Sequence, residues 1–176
     1  MSPTEFQSGP YSCALLMAST KGAAGLREDK AGPILKERLT EAGFVVKDLK
    51  VIPDKIEAIA AQIRTWIDDD CIDLVLTSGG TGLSPNDVTP EATRALLERE
   101  VPGLAEAIRA VGRAKTPHAD LPRGLAGTRR QSLIVNLPGS PKAVRENLEP
   151  VLPALEHGLQ MLLGTKNECA AEMKPL

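Results

Sequence analysis

The apolar residues of this chain follow two rhythms. Short, mostly apolar runs at 11–18, 71–76 (with Asp73 its one charge) and 132–137 have the length of strands, and 44–52 reads as a further strand. Between the runs, apolar positions recur every three or four residues. Ile34, Leu35, Leu39 and Ala42 make one stripe, opening near Asp29 and stopping at Gly43, with Pro33 tolerated in the first turn. Ile56, Ile59, Ala60, Ile63 and Ile67 make the clearest helix, which runs out at the acidic triplet Asp68-Asp69-Asp70. Thr89 as N-cap and Pro90 as first helical residue predict a helix reaching about Arg99, and Leu104, Ala105, Ile108 and Val111 predict the next. From 141 to about 163 the pattern is helical again, divided by Pro150 and Pro153. Residues 114–130, rich in Pro, Gly and Arg, predict an irregular connection with solvated arginines.

Strands alternating with helices require right-handed crossovers, which build an α/β fold: a mainly parallel sheet with helices on both faces. The strand C-termini then share one edge, where open sheets of this kind bind ligands. Four segments follow strands directly and meet at that edge: 19–25, the turn at Asp54, 77–87 and 138–142.

Segment 77–87 carries the most chemistry. Gly79, Gly80 and Gly82 let successive amides turn toward one point, and Thr77, Ser78, Thr81 and Ser84 add hydroxyls, a composition suited to phosphate. No Lys follows the last glycine as in a Walker loop, and Pro85 breaks the spacing of a dinucleotide fingerprint. A tight solvated turn is the competing reading, as an ordinary helix N-cap is for Asp54. Together, however, Asp54 and Asp87 would repel a polyphosphate unless a divalent cation lay between, so Mg²⁺ with a nucleoside triphosphate is the economical chemistry. Ser19, Lys21, Pro138, Gly139, Ser140 and Lys142 are further phosphate or nucleotide candidates on the neighbouring loops. Phosphoryl and nucleotidyl transfer work mainly by positioning and charge neutralisation and need no protein nucleophile.

The remaining features narrow the classes. A chain of 176 residues is long enough for one domain, expected over 11–164 with 1–10 and 165–176 as flexible tails. A net charge of -2 with mixed signs argues against a nucleic-acid partner, and no apolar run suits a membrane. The polar N-terminus lacks a leader pattern, so a cytoplasmic protein is expected. Cys13, Cys71 and Cys169 are widely spaced and read as reduced thiols, the first two buried in strands. Neither His118 nor His157 has a local pattern that would make a catalytic pair with one of them.

The motifs Ile52-Pro53-Asp54, Thr77-Ser78-Gly79-Gly80-Thr81-Gly82, Asp87-Val88-Thr89-Pro90-Glu91 and Pro138-Gly139-Ser140-Pro141-Lys142, in that order, resemble the molybdenum-cofactor biosynthesis family (MogA/MoaB-like) from about Cys13 to Gly164. The resemblance implies a three-layer α/β/α fold, usually a homotrimer and sometimes a hexamer. It implies molybdopterin adenylyltransferase activity, in which ATP and Mg²⁺ transfer AMP to the molybdopterin phosphate, with transient contact with the molybdenum insertase. On this resemblance, Asp54 and Asp87 match the family's two essential aspartates, Thr77 to Gly82 would hold the pterin phosphate, and Ser140 would contact ligand. A noncatalytic molybdopterin carrier is the alternative implied by the same resemblance.

Overall fold

The apolar runs form strands at 12–18, 74–78 and 132–137 because their two faces pack into two separate cores, whereas 45–52 is only partly buried. The computed structural model describes residues 10–164. Six strands are present there: β1 (Ser12–Ala18), β2 (Val45–Ile52), β3 (Leu74–Ser78), β4 (Arg99–Glu100), β5 (Ala126–Arg129) and β6 (Ser132–Leu137). They form one sheet in the order β2-β1-β3-β6-β5-β4, in which β2, β1, β3 and β6 are parallel and the β5 and β4 edge is antiparallel.

The helices are α1 (Thr20–Ala23), α2 (Ala31–Glu41), α3 (Ile56–Arg64), α4 (Thr89–Arg94), α5 (Pro102–Arg113), α6 (Pro141–Leu148) and α7 (Leu152–Leu163). Leu15, Leu76 and Val135 point to one face, where they meet Leu35 and Leu39 of α2, Ile108 of α5, Leu148 of α6 and Leu155 of α7. Their strand neighbours Leu16, Val75 and Ile134 point the other way, toward Ile59 and Ile63 of α3 and Ala92 of α4. Successive residues of a strand face opposite sides, so a sheet covered on both sides needs apolar residues at both parities. The result is the three-layer α/β/α arrangement that the alternation predicts. No described helix is long and apolar enough to cross a membrane.

Four departures from the sequence reading have local causes. The 71–76 run begins its strand later, at Leu74, because the Asp73 carboxylate accepts from both the amide and hydroxyl of Ser12 and ends the preceding turn. Cys71 therefore sits in that turn, exposed and with φ of 53°, rather than buried; Cys13 is buried, and Cys169 lies outside the described residues. The helix behind Thr89 stops at Arg94, and Arg99–Glu100 pairs as an edge strand instead. Part of the expected irregular connection is strand β5, whose Ala-Gly-Thr-Arg sequence has no apolar run to announce it. Its Gly127 is required by proximity: a methyl group there would lie 2.4 Å from the Arg99 carbonyl oxygen.

The arginines of that connection are also not simply solvated. Arg129 donates to both oxygens of Asp68, at 3.0 and 2.6 Å, which gives the first residue of the acidic triplet a structural partner. Arg130 reaches the same carboxylate at 3.2 Å.

Candidate functional site

The loops after β1, β2, β3 and β6 enclose a cleft of about 1230 Å³ at the C-terminal edge of the parallel strands. Backbone approaches backbone here, which explains the glycines. Gly79 has φ of +95°, and a methyl group on it would lie 2.5 Å from the Ala18 carbonyl oxygen. A methyl on Gly139 would come within 2.9 Å of the Gly79 Cα. The Ser78 hydroxyl donates to the Pro138 carbonyl at 2.9 Å, which joins the same two loops. Gly80, with φ of +61°, covers the Thr89 hydroxyl, and a methyl there would lie 2.4 Å from Thr89 Oγ1 and 3.3 Å from Asp54 Oδ1.

Asp54 does not cap α3, whose N-cap is Lys55. Its Oδ2 instead accepts from the Thr20 amide at 2.7 Å and the Thr20 hydroxyl at 2.8 Å, while the Asp54 amide donates to Thr20 Oγ1 at 3.0 Å. Residues 19–25, expected as a loop, accordingly begin with a short helix. Ser19 caps it by accepting from the Gly22 amide at 3.0 Å. With Oδ2 occupied, Oδ1 borders Gly80 and the cleft.

Asp87 reaches the same cleft from the far end of the glycine loop. Its Oδ2 accepts from the Ser84 amide at 2.9 Å, and its own amide donates to the Ser84 carbonyl at 2.9 Å. Thr89 N donates to Gly80 O at 3.0 Å and closes the base of the loop. Lys21, Arg27, Lys30 and Lys55 line the cleft with these carboxylates, as do the acidic Glu28 and Asp29. Of these cations only Lys21 is marked by the sequence; the others become visible as site residues once chain folding brings 27–30 and 55 to the same rim.

A second, smaller pocket of about 280 Å³ adjoins the cleft, and Ser140 lines both. Thr81, Asn136 and Pro138 line it together with residues of α5 and α6. Asn147 contributes a buried amide oxygen that no described group donates to. Sequence reasoning passes over Asn147 because it reads as one more polar residue on an amphipathic helix.

The sequence-derived candidates thus separate by location. Ser19, Lys21, Asp54, Ser78, Gly79, Gly80, Asp87, Gly139 and Ser140 line the cleft, whereas Thr81 and Pro138 line the smaller pocket. Thr77 lines neither: it is fully buried in β3, and its hydroxyl accepts from Asn136 Nδ2 at 2.8 Å. Gly82 also lines neither; a methyl there would press within 2.8 Å of Asp87 Oδ2. Lys142 is exposed on the first turn of α6, outside both cavities. Ser140 caps α6 by accepting from the Ala143 amide at 3.1 Å.

Cys13 is no nucleophile, since burial pushes its thiol up to about 12. Among the described residues no group of three or more His, Cys, Asp or Glu side chains is arranged to hold a metal by itself. Two carboxylates alone suit a hard cation such as Mg²⁺, which takes one or two protein oxygens and completes its shell with phosphate and water.

Residues 14–157 match the family described as a probable molybdopterin binding domain. The chain is 38% identical to the molybdopterin adenylyltransferase of Escherichia coli K12 over 173 residues, covering 90% of this chain and 89% of that one. It is 41% identical over 158 residues to gephyrin of Dictyostelium discoideum, spanning 84% of this chain but only 22% of that much longer protein. Among solved structures, the molybdopterin biosynthesis enzyme MoaB of Thermus thermophilus superposes with a TM-score of 0.84 at 50% identity, covering 88% of this chain and 97% of that one.

Proposed function

Because this chain belongs to the molybdenum-cofactor biosynthesis family defined by the molybdopterin binding domain, we propose that it adenylylates molybdopterin at the expense of ATP. The observation that carries the reading is the placement of Asp54 and Asp87 on different loops of one cleft that Lys21, Arg27, Lys30 and Lys55 also line, beside the Gly79-Gly80 turn. The relatives named as molybdopterin adenylyltransferases are matched over most of their length, which supports the same assignment.

In this reading the two cavities divide the substrates. The 280 Å³ pocket takes the pterin, with the Asn147 amide oxygen accepting from a ring N–H or amino group. The pterin phosphate then projects past Ser140 toward the Gly80 amide, the Gly79 amide donating instead to the Leu137 carbonyl at 3.3 Å. The larger cleft takes ATP, its triphosphate among Lys21, Arg27, Lys30 and Lys55. A phosphate oxygen of molybdopterin attacks the α-phosphorus of ATP, the bond to the β-phosphate oxygen breaks, and pyrophosphate leaves. Asp54 and Asp87 would hold Mg²⁺, which when bound neutralises the triphosphate charge. Thr20 fixes the Asp54 carboxylate, and the Ser84 amide fixes that of Asp87. Both residues are thereby oriented before substrate arrives, which is where most of the rate in such transfers originates.

The test is pyrophosphate release by purified protein given molybdopterin and MgATP. Release dependent on the pterin is expected; release no greater than in a pterin-free control, with pterin still bound, would instead identify a carrier.

A further inference from the structure

Arg123 lies 36 residues beyond Asp87 in the chain and lines neither cavity, yet its guanidinium is spent on the loop that carries Asp87. Nε donates to the Gly82 carbonyl at 2.8 Å, and one terminal nitrogen donates to the Asp87 carbonyl at 2.6 Å. The other terminal nitrogen pairs with the Glu91 carboxylate. The Arg123 amide adds a bond to the Thr81 carbonyl at 2.8 Å. Residues 83–86 are exposed and Leu83 is 66% exposed, so no apolar anchor holds this loop. What remains is its internal Ser84–Asp87 turn, the Thr89–Gly80 closure and Arg123 spanning both ends.

We infer that Arg123 is a positioning residue for the transfer reaction, clamping the two ends of the 82–87 loop through its carbonyl oxygens so that the Asp87 carboxylate is held at a fixed place in the cleft. A planar fork with donors in fixed directions meets two carbonyls and one carboxylate at once; a lysine ammonium on a flexible stem does not reproduce that. Glu91 pairs with the terminal nitrogen that bonds to neither carbonyl, and that hydrogen bond is the chief reason its carboxyl lies below the usual glutamate value. The inference rests on the adenylylation reading for its consequence, although the clamp itself does not.

The experiment compares Arg123→Gln, Arg123→Lys and Glu91→Gln with the wild type in the full chain. Both Arg123 variants should lower kcat about 100-fold, the scale of a misplacement near 1 Å, with molybdopterin affinity within about threefold of wild type. They should also raise the half-saturating Mg²⁺ concentration about tenfold, and amide exchange at Ser84 and Asp87 should accelerate. Glu91→Gln, which leaves both carbonyl contacts, should change kcat less than about threefold. Retention of kcat and Mg²⁺ dependence in Arg123→Lys overturns the inference, as does a Glu91→Gln loss equal to that of Arg123→Gln. Loss of pterin binding in step with kcat also overturns it. If the wild type releases no pyrophosphate, the adenylylation reading fails alone; unchanged exchange at Ser84 and Asp87 in Arg123→Gln then refutes the clamp, and faster exchange sustains it.

Discussion

Thr20 and Asp54 bond to each other three times: the Thr20 amide and hydroxyl both donate to Asp54 Oδ2, and the Asp54 amide returns a bond to Thr20 Oγ1. The loop after β1 is thereby locked to the loop after β2, and one carboxylate oxygen is consumed in holding the other toward the cleft.

Thr20→Val removes the two bonds through the hydroxyl and keeps the backbone one. A charge-assisted hydrogen bond contributes about 1.5–3 kcal/mol, and part of that loss should appear as a roughly tenfold lower kcat with pterin affinity unchanged. Steady-state pyrophosphate release against molybdopterin titration measures both. A Thr20→Ser variant should recover most of the rate.

Asp87→Ala should abolish turnover while leaving the fold and molybdopterin binding intact, because the carboxylate contributes to the transfer step and its one described hydrogen bond is to an exposed turn. Circular dichroism, pterin titration and pyrophosphate release together check this. Undiminished turnover would remove Asp87 from the mechanism.

Two glycines make opposite predictions for the same substitution. Gly79→Ala adds a methyl 2.5 Å from a backbone carbonyl at φ of +95°, and should cost about 2–4 kcal/mol through strain and forced separation of the loops. Gly103→Ala, in the first turn of α5 with open space around it, should stabilise by about 0.5 kcal/mol. Urea denaturation of both variants gives the comparison.

Asn147→Leu should relieve a buried amide oxygen that lacks a described donor, so the free protein should lose little stability. Molybdopterin affinity should fall about tenfold or more, because the ring donor loses its acceptor, while the KM for ATP stays constant. An equal change in both constants would place the pterin elsewhere.

Arg129 holds the Asp68 carboxyl below its ordinary 3.8, first through their hydrogen bonds and then through its charge. A depressed folded-state value stabilises the fold above the unfolded value and loses that contribution as pH falls through the folded one. The urea midpoint of wild type should therefore exceed that of Asp68→Asn near neutrality, and the gap should close below about pH 4. A gap that stays constant from about pH 7 to about 2.5 would show that the pair is not responsible.

The parallel strands and the main helices were legible because periodicity records burial locally, and every residue of β6 lies where its apolar run placed it. That the glycine loop, Asp87 on it and Asp54 after β2 would meet at one edge was legible too, since parallel strands end on the same side of the sheet. Strands β4 and β5 were not, because an edge pairs through backbone groups that any sequence carries. Nor could the chain order reveal that Arg123 would close on Gly82 and Asp87, that Thr20 would take one oxygen of Asp54, or that Asn147 would be enclosed without a donor. Those are relations between residues distant in sequence. The local pattern decides which face of an element is buried, but which side chain meets which carbonyl depends on how the layers pack, and only the tertiary structure contains that.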